Sequence, residues 1–265
     1  MFRSLDIAAT GMATQESRLD TIANNLANAD TVGFKRQTVE FEDLLYQTVN
    51  APGDGTTTGG TGAGTSSGVQ IGTGARVVAT PRSFTQGSVT QTGNPLDLAI
   101  EGTGFFAVQR TTGDIAYTRA GSFKLDSQGH VVTSDGLPLQ PPLTVPADAT
   151  SVSVGSDGTL TVQRPGQTQP VQVGQIQITS FANPTGLNAT GHNLYLPSAS
   201  SGDPSVGVAG TDGRGTILQG GVEASNVDVV TEMVNLIRAQ RSYEINSKVI
   251  SSADQMLQSA TQLGR

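Results

Sequence analysis

The chain has 265 residues, among them 33 glycines, 12 prolines, no cysteine and no tryptophan, and only 14% of its side chains are charged. Such a length supports one large or two modest domains with a sizeable core, and the lack of cysteine excludes disulfide staples and thiol nucleophiles. A net charge of −7 without a basic cluster leaves nothing to neutralise phosphates, so no nucleic-acid partner is expected.

The amino end predicts a helix from Phe2 to Ala29, about 40 Å long. Leu5, Met12, Leu19 and Leu26 recur every seven residues, and Ala8, Ile22 and Ala29 fall three positions after the first, third and fourth of them. They form one apolar stripe, interrupted at Gln15 and running past Gly11. The opening MFRSLDIAATGMATQESRLD lacks the apolar core of a secretory signal, and no run of 18 apolar residues occurs, so neither a cleaved leader nor a transmembrane helix is expected. The helix ends in amides. Asn24, Asn25 and Asn28 are poor formers of an exposed helix interior; bonding across a helix–helix boundary, or capping the chain as it turns at Asn28, Asp30 and Gly33, explains their presence. Gly33 is expected to adopt a positive φ where the chain leaves the helix.

From Ala51 to Gly68 the sequence is APGDGTTTGGTGAGTSSG, with seven glycines in eighteen residues, which reads as a flexible linker. The period then shortens. VQIG, ARVVAT, LDLAI, FFAVQ, IAYTR, SFKLD, HVVTS, TLTVQ and VQVGQIQITS are short, rich in β-branched and aromatic residues, and bounded by turn formers. DSQG at 126–129 and GSDG at 155–158 suit hairpin turns, because aspartate bonds the local backbone and glycine accepts positive φ. About ten to thirteen strands over 75–221, with no helical crossovers, describe an antiparallel domain and argue against a doubly wound sheet. A second helix is expected over 228–262: Leu236, Tyr243, Ile250 and Leu257 repeat by seven, Ala239, Ala253 and Ala260 accompany them, and Val249, Met256 and Leu263 widen the stripe. Asp228 and Glu232 suit its amino end, and Asn226, Asn235 and Asn246 are read as an amide surface on it.

The fold class is therefore a mostly β central domain flanked by N- and C-terminal helices that form a coiled-coil-like core, with discontinuous domains. Four segments are expected: a helix and turn at 1–45, a Gly/Thr-rich linker or hairpin at 46–74, an antiparallel β domain at 75–221, and a second helix at 222–265.

Motifs for chemistry are weak. EGTGFFA fits G-x-G-x-x-A, but FFAVQ and a turn follow where a dinucleotide site needs a helix, so a glycine-lined bend between strands is the better reading. His130 and His192 are isolated and open no metal motif. Asp97, Asp126, Asp135 and Asp157 read as turn residues, and no G-x-S-x-G elbow occurs. No catalytic residue, cofactor or metal is expected. Apolar helices at both ends point instead to a pair that closes on itself within one subunit or, the better reading, to sticky ends whose remaining faces pack against other subunits.

ANNLANADTVGFKR, SFTQGSVTQTGNPLDLAIEGTGFFAVQ, AYTRAGSFKLDSQGHVVTSDGLPLQ and QGGVEASNVDVVTEMVNLIRAQRSYEINSKVISSADQMLQ resemble the blocks of the bacterial flagellar rod and hook axial proteins. YQTV, VQIGTGARV and PVQVGQIQITSFANPTGL place the resemblance nearest the members that build the distal rod. The resemblance implies a structural subunit that stacks helically into a rigid hollow drive shaft, which passes torque from motor to hook and serves as an export channel. It also implies export by the flagellar type III secretion route without signal cleavage, and a place in the periplasmic rod. The implied partners are further copies of itself, proximal rod proteins, hook protein, the surrounding peptidoglycan and outer-membrane ring proteins, and the export apparatus. Asn24, Asn25, Asn28, Thr31, Gly33 and Phe34 would serve packing and the turn at the edge of an inner helical tube; Asn226, Asn235, Arg238, Arg241, Tyr243 and Asn246 would fall on the matching surface of the second helix. YQTV and VQIG are expected to pair as short strands anchoring a bridge between subunits. The alternatives are hook protein or a proximal rod protein and, from another class, a cell-wall-lytic enzyme using paired carboxylates.

Overall fold

A computed structural model describes residues 2–50, 68–167 and 169–263. Both helices form: α1 spans Phe2–Ala27 and α2 spans Val229–Leu263. α1 stops short of Ala29 because the amide-rich end exchanges its regular ladder for tight turns. The N–H groups of Asn28, Ala29, Thr31 and Phe34 donate to the carbonyls of Asn25, Leu26, Asn28 and Thr31, each three residues back.

Packing divides the chain into two units, both built from separated stretches. The first takes in residues 1–24, 37–81 and 230–265; the second takes in 25–36 and 82–229. In the first, α1 and α2 pack against each other. A β-carbon on Gly11 would meet the Asn246 amide at 3.0 Å, so the glycine sets how closely the helices approach. Ala8, Ala239 and Ala253 are almost wholly buried, whereas Leu5, Met12, Leu19, Leu236, Ile250 and Leu257 are half-buried. Small side chains, rather than the leucines, therefore occupy the tightest positions.

The same unit contains a two-stranded ribbon in two parts. Glu40–Asp43 pairs antiparallel with Ala75–Ala79, and Gln47–Asn50 pairs antiparallel with Val69–Ile71, with Gln47 opposite Ile71 and Thr48 opposite Gln70. YQTV and VQIG thus contribute paired strands. Ala75–Ala79, which composition alone attaches to the central β domain, groups with the helices.

The second unit is antiparallel throughout its described ladders. Its largest sheet runs in the order Asn188–Gly191, Leu194–Leu196, Ile115–Thr118, Phe105–Gln109, Gln177–Ser180 and Ser205–Val208, and Leu139–Gln140 also pairs with Phe105–Gln109. Strands outnumber the ten to thirteen expected, because pairings as short as Leu139–Gln140 are selected by neighbouring chain and leave no local pattern. FFAVQ shows how the sheet divides its cores. Successive side chains point to opposite faces, so Phe106 and Val108 enter a core with Leu98, Ile100, Phe123, Leu160 and Ile178, while Phe105 and Ala107 join Tyr117, Phe181 and Tyr195. The EGTG stretch is a bend between Leu98–Glu101 and Phe105–Gln109, with Gly102 at φ 107° and Gly104 at φ 130°.

Both expected hairpin turns form. Asp126 Oδ1 accepts from the N–H groups of Gln128 and His130 at 2.8 Å, and Asp157 Oδ1 accepts from the hydroxyl and N–H of Thr159. The His130 N–H chiefly holds the Asp126 carboxyl below its ordinary range, and the Thr159 hydroxyl does the same for Asp157. A carboxylate whose folded pKa is depressed stabilises the fold above its unfolded value, about pH 4, and loses that contribution as pH falls through the folded value. Asp126→Asn with Asp157→Asn is therefore expected to lower Tm at pH 6 and to flatten the further fall of Tm below pH 4. Thermal melts across pH 2–6 check this; parallel curves for the parent and the variant would contradict it.

Candidate assembly site

The second unit closes around a buried charge cluster where the chain from α1 meets the chain leading to α2. Lys35 and Glu223 are both 0% exposed, and Lys35 Nζ donates to Glu223 Oε1 at 2.6 Å and to the Thr85 carbonyl at 2.7 Å. Gly87 N–H also donates to Oε1, at 2.9 Å. Arg119 Nη1 lies 3.3 Å from Oε2, and its guanidinium donates to the carbonyls of Ile100 and Gly102 while standing over the Phe105 ring. Burial lowers the pKa of Lys35 and of Arg119, and Glu223 opposes the shift in both. Two cations on one carboxylate in a dry site are costly, and backbone groups offset part of that cost, while Arg119 Nε and Glu223 Oε2 have no hydrogen-bond partner among the described residues.

The turn of TVGFK is bonded into the same place. Gly33 has φ +69° and its N–H donates to the Glu223 carbonyl at 2.8 Å; a β-carbon there would lie 2.5 Å from the Ala120 nitrogen. The positive φ expected of Gly33 is present, and close backbone approach adds a second reason for glycine. Phe34 is buried beside it, and Thr31 Oγ1 is 3.1 Å from Asn28 Oδ1. Asn193 Nδ2 donates to the Val32 carbonyl at 2.9 Å.

Asn226 requires a correction. The sequence reading puts it on the second helix, but it stands ahead of α2, where its Oδ1 accepts from Arg36 N–H at 2.7 Å and its Nδ2 donates to the carbonyls of Ser83 and Thr85. It ties three chain passages within one subunit. An asparagine close before a helix start reads as a cap or a helix surface unless its partners, far away in sequence, are known.

The other expected residues distribute along the helices. Ile22 and Asn25 are buried, Asn28 and Leu26 half-buried, and Asn24 exposed; on α2, Asn235 and Asn246 are half-buried, while Arg238, Arg241 and Tyr243 are exposed. Sequence reasoning counted Val249 and Met256 as widening the first stripe of α2 and missed that they belong to a second one. Ile237, Ile245 and Val249 share one line of α2 at four-residue spacing with Arg241, and Val230, Val234 and Met256 extend it; Val230 is 71% and Ile245 61% exposed. The same helical periodicity would have revealed it, since two stripes on one helix signal two partners. Leu45, 89% exposed, Tyr46, Val49 and Val69 are bare on the ribbon.

Two long helices carrying small residues at one seam and bare apolar side chains elsewhere, in a chain whose β unit holds its own buried clasp, define a self-associating structural subunit. Among the described residues, no group of His, Asp and Glu is suited to a metal, and no helix is long and apolar enough to cross a membrane. Comparison with known proteins agrees with this class. Residues 5–35 match the model of the flagella basal body rod protein, residues 99–162 that of the flagellar hook protein FlgE/F/G D1 domain, and residues 218–263 that of the flagellar basal body rod FlgEFG protein C-terminal region. The chain is 47% identical over 263 residues to the flagellar basal-body rod protein FlgG of Buchnera aphidicola subsp. Acyrthosiphon pisum, covering 99% of this chain and 100% of that one. It is 48% identical over 261 residues to FlgG of Caulobacter vibrioides, covering 98% and 99%, but 34% identical over 266 residues to FlgF of the same organism, covering 99% and 98%. The chain belongs to the FlgG family of flagellar basal-body rod proteins. It is a structural, polymerising rod subunit of the flagellar basal body.

Proposed function

We propose that this subunit stacks helically into the distal rod as a hollow, stiff shaft that carries torque to the hook and passes export cargo through its bore. Its neighbours in that reading are further copies of itself, proximal rod proteins on one side, hook protein on the other, and the export apparatus, peptidoglycan and outer-membrane ring proteins around it. The observation that carries the reading is the bare apolar line of α2 opposite a well-packed helix seam, since such a line is buried only when another subunit covers it. The amides and apolar residues at Leu5, Met12, Leu19, Ile22, Asn24, Asn25, Leu26, Asn235, Leu236, Asn246, Ile250 and Leu257 are assigned to the axial packing of the helices. Arg238, Arg241 and Tyr243 are assigned to contacts between subunits. The segments 1–45, 46–74, 75–221 and 222–265 are assigned the roles of axial helix, bridge, β domain and axial helix, with Ala75–Ala79 now counted with the helices.

Ile245→Asp tests this directly. The side chain is exposed in the single subunit, so its thermal melt is expected to stay within about 0.5 kcal/mol of the parent, whereas a carboxylate without a partner in a subunit interface is expected to abolish rods and motility. Rods of normal number carrying Ile245→Asp would refute the assignment of that face.

The segment from Tyr46 to Val69 is the candidate source of stiffness. Residues 51–67 lie outside the described residues, and the chain of over 20 residues is long enough, at about 3.3 Å per residue, to reach a neighbouring subunit. Deleting residues 50–68 is expected to leave polymers that bend more in electron micrographs; deletion rods as straight as the parent would move the source of stiffness to contacts of the β unit.

A further inference from the structure

We propose that Thr10 of α1 and Gly74 at the root of the ribbon form a seat that fixes the ribbon to the axial helix, making Gly74 a positioning residue for the bridge. The inference rests on the reading of 46–74 as a bridge between subunits and adds how that bridge is held. The ribbon is interrupted between its two ladders, at Leu44–Tyr46 on one strand and Gly72–Gly74 on the other. A two-stranded ribbon is marginally stable alone, and a break in its ladder is where it would flex.

At this break the structure supplies replacements for the missing ladder. Leu44 N–H donates to the Gly74 carbonyl at 2.9 Å, and Thr73 Oγ1 donates to the Leu45 carbonyl at 2.7 Å. Gly72 lies against the Tyr46 ring, a β-carbon there being 3.5 Å from it. Gly74 has φ +122°, and a β-carbon on it would overlap the Thr10 hydroxyl. That hydroxyl donates to the Ile7 carbonyl at 2.9 Å, so it cannot swing aside without losing a bond. Further along, Arg3, Asp6 and Ile7 of α1 and Gln47, Ile71, Gly72 and Thr73 of the ribbon line a small cavity of about 80 Å³, which lays the outer ladder along the first turns of the helix. The glycine has no side chain, and the Thr10 side chain can therefore rest directly on the ribbon backbone. A bridge held this way moves only with its own α1, so strain on the axial helices reaches the bridge without slack.

Two variants test the seat from opposite sides. Gly74→Ala adds the conflicting β-carbon, and Thr10→Leu overfills the same spot while leaving the Gly74 backbone unchanged. In both, hydrogen exchange at Leu44 and Thr48 is expected to rise at least tenfold with the second unit's protection unchanged, and rods are expected in normal number but with greater curvature. A merely structural role would lower rod number and leave the curvature of surviving rods alone. Thr10→Ala combined with Gly74→Ala is expected to recover part of the protection and straightness lost in Gly74→Ala, the cost of a side chain at φ +122° remaining. Parent-level exchange at Leu44 and Thr48 in both single variants overturns the seat, whatever the shape of the rods. Raised exchange, together with straight rods after deletion of 50–68, leaves the seat in place and overturns the bridge reading instead.

Discussion

Glu223→Ala is expected to destabilise the second unit by about 3–5 kcal/mol, because it strands two buried cations, Lys35 and Arg119, on the site of a deleted carboxylate. Against a typical total of about 5–15 kcal/mol for a domain, that is a large share of the stability. Urea unfolding followed by Tyr fluorescence reads the loss. Adding Lys35→Met is expected to recover part of it, since one stranded charge is removed and the methionine fills the space of the lysine stem.

The pH dependence of Glu223→Ala has a definite sign. Burial holds the Lys35 ammonium below its ordinary value near 10.5, and Glu223 works against that shift. Without Glu223 the folded pKa falls further, so over the range between it and the unfolded value the unfolded chain binds more protons than the folded one. Stability of the variant is therefore expected to rise from neutral pH toward pH 10, and this rise should vanish once Lys35→Met is added. A variant whose stability falls over that range would show that Lys35 leaves the site when its partner is removed.

Gly33→Val is expected to be the second severe change. A side chain at φ +69° costs about 1–2 kcal/mol even where there is room, and here the β-carbon would stand 2.5 Å from the Ala120 nitrogen and 2.7 Å from the Arg119 carbonyl carbon. Backbone cannot rotate aside as a side chain can. Moving it displaces Arg119, and with Arg119 the charge on Glu223. The effects of Gly33→Val and Glu223→Ala are therefore expected to be less than additive in a double-mutant cycle. Asn24→Ala, at an exposed position of α1, serves as the mild comparison; an equal loss in the two single variants would refute the role of Gly33.

Local chemistry made much of this protein legible from its sequence. Helices announce themselves by a period near 3.6, and α1 and α2 lie within two residues of the expected bounds. Asp126 and Asp157 mark their hairpins because a carboxylate bonds the backbone two residues on, and Gly33 marks a positive φ because the amide-rich helix end leaves the chain nowhere else to turn. These signals are short-range, and they need no knowledge of the rest of the chain. Blocks shared with the rod and hook proteins then carried the function, through a likeness that covers nearly the whole chain.

Tertiary structure alone decided which charges are buried and which apolar residues are bare. Lys35 and Glu223 are separated by 188 residues, and no local pattern links them before the fold brings them together with Arg119. Asn226 reads as a helix-surface amide until Arg36, Ser83 and Thr85 surround it. Periodicity shows that a helix has an apolar face, but it cannot say whether that face is covered by its own chain: the alanines at 8, 239 and 253 lie in the seam, while Ile237 and Ile245 stand in solvent. Burial is a sum over neighbours distant in sequence, and a pattern read along one strand or one helix contains no term for them.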